Sequence, residues 1–449
     1  MRPPGPRTLR PAGSFPEFRR DPLAFLTETV HRYGDISRSR FFHVPVWVVN
    51  GPELVEEVLS TKAASFMKGR GLQAGRPIFG DGLLTSEGEF WKRQRRLAQP
   101  AFHRDRIASY GDAMGAAAER MLAAFRDGET RDVHADFMRL TLEIAGRTLF
   151  GLDVSHEARE VGESLEIALS EFPSLLNPLN RLFLSRLPTK RARRLAGAVA
   201  RLDAVIFRML GERRARDGDT GDLLSMLLAA RDEDGSGMTD RQLRDEVLTI
   251  FLAGHETTAI ALSWAVFLLS RDPGARERVE AEADALETGR CLAFEDLPRL
   301  PFTEAVVKES LRLYPPAWAI GRTALVDVEI GGQVIGKGSA VLVAPWVAHR
   351  DGRFFDEPGV FRPERWLDEK IKALPRFAWF PFGGGPRVCI GSAFAMMEAV
   401  LVLAAVARRV RLDVVPGHRV EPFPSVTLRP RYGIRVTVAR RPSHPSSRS

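Results

Sequence analysis

The run Phe382-Gly383-Gly384-Gly385-Pro386-Arg387-Val388-Cys389-Ile390-Gly391 sets one cysteine between a glycine-rich loop and a long apolar stretch. That placement suits a thiolate exposed to a large planar partner. Near a helix N-terminus, the dipole and the unpaired N–H groups stabilise a negative sulfur. The glycines are expected to let backbone approach a flat surface with no Cβ between. Arg387, two residues before the sulfur, offers a charged fork to a carboxylate. Two further groups stand out. His255-Glu256-Thr257-Thr258 lies in the middle of the apolar stretch 247–269, where a carboxyl group is costly to bury. Glu309 and Arg312, three residues apart, fall on one helix face as an ion pair.

Elements must hold these residues in place. Helix patterns over 22–32 and 52–59 alternate with a strand-like run at 44–49. A Gly-rich loop over 69–88 precedes a helix starting near Glu89, and 104–270 reads as mostly helical, with apolar positions at a 3.6 period. A helix over 303–313 is stopped by Pro315-Pro316. Short β runs alternate with Gly turns from 320 to 345, a helix follows the cysteine over 393–409, and β-type sequence fills 420–438. The fold class is α+β, predominantly helical, with a long central helix and small β-sheets. Gly331 to Lys337 matches a phosphate-binding G-x-x-x-x-G-K, but Gly338 replaces the required Ser/Thr and no helix follows, so a hairpin turn is expected.

Composition narrows the function classes. The 449 residues carry 65 Lys and Arg against 57 Asp and Glu, net +8, yet no nucleic-acid-binding motif accompanies the charge. No nucleic acid is expected as partner, and a basic face for an acidic protein is the better use of it. The 2 cysteines, Cys291 and Cys389, exclude a disulfide framework and a zinc cluster; Cys291 reads as a free structural thiol in a reducing, cytoplasmic setting. The stretch 247–269 is long enough to span a bilayer, but its central carboxyl favours a buried helix of a soluble protein. The Pro/Arg-rich arm 1–20 has no apolar run, so neither secretory signal nor membrane anchor is expected. Residues 21–439 read as one domain, and 440–449 as a disordered tail.

The cysteine loop fits F-x-x-G-x-R-x-C-x-G at Phe382, Gly385, Arg387, Cys389 and Gly391, and so resembles the haem-binding signature of the cytochrome P-450 superfamily. Ala253-Gly254-His255-Glu256-Thr257-Thr258 resembles the family's oxygen-activating motif, Glu309 to Arg312 its E-x-x-R, and Arg362-Pro363-Glu364-Arg365-Trp366 its P-E-R-F element. Trp91 to Arg95 resembles the W-x-x-x-R of a helix that meets a haem propionate. The matches run in family order from about residue 91 to 391.

The resemblance implies a soluble, bacterial-type haem-thiolate monooxygenase that inserts one oxygen atom into a hydrophobic small molecule: a fatty acid, terpenoid, steroid or polyketide. Cys389 would be the axial ligand of haem b, with Phe382 packed near the sulfur. Arg387, Arg95 and Arg322, with Trp91 and His349, would meet the haem edge. Thr249, Ala253 and Thr257 share one helix face, and Gly254 permits a local widening there. Thr257 would either bond back to the Ala253 carbonyl or hold water, and Glu256 beside it would complete an acid–alcohol proton relay. Glu309, Arg312 and Arg365 would form a buried structural network. Substrate contacts would come from 66–90, the apolar lid 165–187, 317–320 and the loop at Ser425-Val426. Electrons would come from a separate acidic ferredoxin or flavodoxin with its reductase, docking on Lys92, Arg93, Arg96 and Arg376. Competing readings are a peroxygenase or an oxygen-independent isomerase or dehydratase on the same scaffold, and a non-catalytic haem sensor; the intact Glu256-Thr257 pair speaks against all of these.

Overall fold

The computed structural model describes residues 3–6, 8–151, 157–175, 189–215, 221–232, 234–287 and 289–442. The chain forms two compact units, each assembled from three stretches. Residues 1–74, 308–389 and 423–428 make a unit that carries the cysteine; residues 75–307, 390–422 and 429–449 make a unit built round the longest helix.

In the cysteine unit, five strands pair in the order Ile36–Phe41, Val44–Val49, Ala340–Val343, Ile320–Ala324 and Phe66–Lys68. Val44–Val49 runs parallel to Ala340–Val343, and the other pairs are antiparallel. Alternation fixes the faces. Trp47, Val49, Val341 and Val343 join Val58, Leu59, Phe66, Phe377 and Phe380 in one core. Val48 turns to the other face, with Leu26, Val30 and Val347. Each such side chain contributes about 1.5–3 kcal/mol by burial. The arm expected at 1–20 lies along the first strand: the Arg38 amide donates to the Pro4 carbonyl at 2.7 Å, Gly13 bridges Phe41, and Phe15–Arg20 is helical. The Gly-rich 331–337 segment is the expected hairpin, between Val328–Ile330 and Gln333–Ile335. A single π-helical turn, Glu57–Thr61, is closed by the Lys62 amide on the Glu57 carbonyl at 2.9 Å.

The second unit is organised by the helix Asp240–Arg271. Its 32 residues reach about 48 Å at 1.5 Å per residue. A reciprocal capping box starts it: Gln242 N–H donates to Thr239 Oγ1, and Thr239 N–H to Gln242 Oε1. Asp272 ends it and caps the next helix, Pro273–Asp284. Helices Val133–Phe150, Lys190–Ala215 and Ser392–Arg409 pack around it, and Phe150 stacks on Phe251 with centroids 4.2 Å apart. It is long and apolar enough to cross a membrane, yet mostly buried, so its apolarity is that of a core helix. Within the stretch expected to be mostly helical lies one short strand, Thr130–Asp132, which pairs with Arg435–Arg440, itself paired with Val410–Val414.

Candidate active site

The cysteine loop is closed on itself: the Cys389 amide donates to the Phe382 carbonyl at 2.9 Å, and Val388 to Gly385 at 3.1 Å. Cys389 is exposed, while Phe382 and Arg387 are half-buried. The glycines also serve a contact within the protein. A Cβ on Gly385 (φ +66°) would lie 1.9 Å from the Leu59 carbonyl oxygen of the π-helical turn, and one on Gly384 would lie 2.2 Å from the Phe377 ring. Both positions are therefore required for packing within the unit. Gly391 has only an ordinary contact, 3.7 Å to Phe102, and its carbonyl accepts the Ala395 amide at the start of helix Ser392–Arg409.

In the same unit, one carboxylate gathers five donors from four residues. Glu309 receives Arg312 Nε and Nη2 at 2.9 and 2.8 Å, Arg365 Nε at 3.1 Å, Trp366 Nε1 at 2.9 Å and the Arg362 amide at 2.9 Å. Arg312 also spans the carbonyls of His349, Pro358 and Val360. Burial alone pushes the Glu309 carboxyl up, but Arg312, Arg365 and the Arg362 amide outweigh it and hold the group below its ordinary 4.5.

His349, expected at the cofactor edge, requires correction. Its ring is fully buried and its Nε2 accepts the Phe380 amide at 2.9 Å, which puts the proton on Nδ1. Burial, then the charges of Arg312 and Arg350, depress its pKa to about 3. A neutral ring committed to the backbone upstream of the cysteine loop is an internal tether. Arg322 is buried in the strand Ile320–Ala324, with Nη1 on the Gly321 carbonyl at 3.1 Å. Two expected substrate stretches meet in this unit: Trp318 Nε1 donates to the Ser425 carbonyl at 3.0 Å. In the expected lid, positions 176–187 lie outside the described residues.

In the long-helix unit, the helix is buried on nearly all sides, yet Ala253 is exposed and Gly254 and Thr257 are half-buried at its middle. The expected widening at Gly254 is absent, and the α-helix runs unbroken through it. Thr257 Oγ1 donates to the Ala253 carbonyl at 2.7 Å, the first of the two expected arrangements. Thr141 Oγ1, from helix Val133–Phe150, lies 2.8 Å from the His255 carbonyl. His255 itself is buried, its Nδ1 2.8 Å from the Phe251 carbonyl, and burial depresses its pKa. Trp91 is buried on helix Gly88–Ala98; on the same helix Arg95 is half-buried, with Nε on Gln99 Oε1 at 2.9 Å.

Two groups had no signal in the sequence. Arg429, on the strand Leu428–Pro430, forms an ion pair with the buried Glu256 at 2.8 Å. Burial holds nearby His134 down to about 4, so it is neutral, and its Nδ1 sits 3.0 Å from Ser263 Oγ. Glu398, fully buried on helix Ser392–Arg409, faces the Thr258 hydroxyl, and burial pushes its pKa well above the ordinary value. Neither arginine spacing nor the apolar run around Glu398 announces a contact between segments more than a hundred residues apart.

The expected docking cations are partly spent internally. Arg93 and Arg96 both pair with Asp232, at 2.8 and 2.6 Å; Lys92 pairs only with exposed Glu89, and Arg376 lies over the Phe377 ring. Arg93 and Arg96 therefore both have an acidic partner within the protein, and Arg96 stays exposed. No metal-binding cluster of His, Cys, Asp and Glu occurs among the described residues. An accessible sulfur in a braced loop, with arginines 322 and 387 in the same unit, fits a planar metal cofactor that carries carboxylates.

Comparison with known proteins bears on that fit. The family described as Cytochrome P450 matches residues 3–438. Among curated proteins, the chain is 41% identical to cyclooctatin synthase of Streptomyces melanosporofaciens, over 91% of this chain and 89% of that one. It is 36% identical to cyclooctat-9-en-7-ol 5-monooxygenase of the same species, over 89% and 86%, and 34% identical to pentalenene oxygenase of Streptomyces avermitilis, over 92% and 91%. The solved structure of a retinoic acid-bound cyanobacterial CYP120A1 superposes with a TM-score of 0.86 at 27% identity, covering 98% of this chain and 99% of that one.

Proposed function

We propose a substrate class and an electron source on one premise: the chain belongs to the cytochrome P450 family. It is a haem-binding monooxygenase that takes a hydrophobic substrate and electrons from a redox partner. The net reaction consumes the substrate, dioxygen, two electrons and two protons, and yields a substrate with one new oxygen and one water.

The substrate class we propose is a polycyclic terpenoid. What carries this reading is the identity of 34–41%, over about nine-tenths of each chain, to proteins named for pentalenene, cyclooctat-9-en-7-ol and cyclooctatin. The cofactor is haem b, which when bound supplies the oxygen chemistry through an anionic sulfur ligand. Cys389 provides that sulfur, and Phe382 and Gly391 flank it. Arg387, Arg322, Arg95 and Trp91 are the donors for the carboxylate edge. On the long helix, the exposed position Ala253 beside Thr257 leaves space next to the hydroxyl. Thr257 Oγ1, now bonded to the Ala253 carbonyl, turns to hold a proton at the reaction site, and Glu256 resupplies it from its carboxyl group. The electron donor is an acidic ferredoxin or flavodoxin with its reductase, met by Lys92 and Arg376 on exposed positions, and the setting is cytoplasmic. The Glu256-Thr257 pair, present in the sequence, speaks against the peroxygenase and isomerase alternatives.

The test is direct. The reduced, carbon-monoxide-bound protein is expected to show a thiolate-type Soret band. With a ferredoxin, its reductase and isotope-labelled dioxygen, pentalenene or a related polycyclic hydrocarbon is expected to gain one labelled oxygen. A thiolate band with turnover confined to fatty acids would overturn the terpenoid class; no such band would overturn the Cys389 assignment.

A further inference from the structure

We infer that Asp245 and Glu246, consecutive residues of the long helix, are positioning residues that set the depth of the substrate space by pinning the loop 80–84. The inference rests on the monooxygenase reading, because that reading defines the space the loop bounds.

Residues 246, 249, 253 and 257 follow one another at steps of three and four, so they form one stripe along the helix. The C-terminal part of the stripe carries exposed Ala253 and half-buried Thr257; the N-terminal part is covered. What covers it is the loop. Glu246 Oε2 accepts the Leu83 amide at 2.9 Å, and Asp245 Oδ2 accepts the Asp81 amide at 2.8 Å. Gly82 lies between these two tethered amides. A Cβ on it would fall 2.2 Å from Thr249 Oγ1 and 2.4 Å from the Asp245 carbonyl, so the loop backbone rests directly on the helix. Thr249 is one turn, about 6 Å, from Ala253. The loop backbone therefore reaches Thr249, one turn short of the exposed window, and its Leu83 and Leu84 are half-buried.

The anchor is built in depth. Glu246 is completely buried, and Asp245 and Arg244 are each 4% exposed. Arg244 holds Asp245 Oδ1 at 2.9 Å, reaches the Ile78 carbonyl at 3.3 Å, and pairs through Nε with Asp203 of helix Lys190–Ala215 at 2.6 Å. An apolar residue at 246 would remove the acceptor from a buried amide, and the loop would lift to find water. A glutamine keeps an oxygen at the same reach. That contrast separates positioning from mere bulk.

The experiment uses the holoprotein and iron-ligating imidazoles of graded size: imidazole, 4-phenylimidazole and 4-biphenylimidazole, read by Soret titration. In the parent protein, affinity should depend steeply on size. Glu246→Leu should flatten that dependence by at least tenfold between the smallest and largest probe, and Glu246→Gln should retain it. In the unaltered protein, the Asp81 and Leu83 amides should exchange hydrogen as slowly as amides of the long helix. Unchanged size dependence in Glu246→Leu, or fast exchange of both amides in the unaltered protein, would overturn the inference. Failure of the monooxygenase reading shows separately, as an absent thiolate band in the unaltered protein.

Discussion

Glu309 in the cysteine unit and Glu256 in the long-helix unit are both buried carboxyl groups facing arginine, and they are held in different ways. Glu309 meets two guanidinium groups, an indole N–H and a backbone amide, and Arg312 in turn ties three carbonyls from other segments. Glu256 has Arg429, which is partly exposed and contributed by a short strand near the end of the chain. A carboxylate saturated with donors loses its freedom to accept or release a proton. One held by a partly exposed arginine keeps a route to solvent. The first arrangement builds a scaffold, and the second belongs to the group proposed to supply protons during turnover.

The comparison breaks first at Glu309. Glu309→Ala strands Arg312 and Arg365 as buried charges and should cost about 3–5 kcal/mol. Expression of folded haem protein should collapse; normal yield with a shift of only a degree or two in Tm would show that the network is dispensable. Acid should act on the same unit. The depressed Glu309 pKa means its stabilisation is present above the unfolded-state value and is lost as pH falls through the folded one. For His349 the folded value is about 3 against an ordinary 6.5. The unfolded chain therefore binds the extra proton across that window, and stability declines as pH drops from about 6.5. Melting scans from pH 8 to 4 should show Tm falling, with the fall shallower in His349→Gln; a flat profile contradicts the His349 assignment.

In the other unit the expected effects lie in turnover. Thr257→Ala should leave Tm within about a degree and uncouple the reaction, with oxygen consumption continuing and product falling roughly tenfold. Coupling equal to the parent's would remove Thr257 from the relay. Arg429→Gln is the mildest change: a few-fold loss in kcat, a larger solvent isotope effect and an altered pH profile, with substrate affinity preserved. If it instead destabilises the protein as severely as Glu309→Ala, the distinction between the two carboxylates fails.

Where the chemistry is local in sequence, the sequence was legible. The cysteine loop, E-x-x-R and the Glu256-Thr257 pair each occupy a few consecutive residues, and the long helix, the hairpin at 328–335 and the helix after the cysteine follow from periodicity and breakers. What escaped depends on distant segments meeting. Nothing near Arg429 points to Glu256, 173 positions earlier. His349 was expected at the haem edge, whereas the fold buries its ring against the Phe380 amide. Arg93 and Arg96 read as a docking face because the sequence does not disclose that both pair with Asp232. The glycines in front of the cysteine were read for a flat partner, and the sequence does not disclose that Phe377 and Leu59 press on Gly384 and Gly385.

That last packing determines how the proposed haem-binding loop can be re-engineered. Side chains at 384 and 385 are forbidden by contacts of 2.2 and 1.9 Å, and 383 by its left-handed backbone. Arg387 and Cys389 carry assigned tasks. Two adjustable positions remain between the glycines and the sulfur, Pro386 and Val388, both exposed. Libraries that aim to shift the reduction potential from this loop reduce to two codons, a set small enough to screen exhaustively.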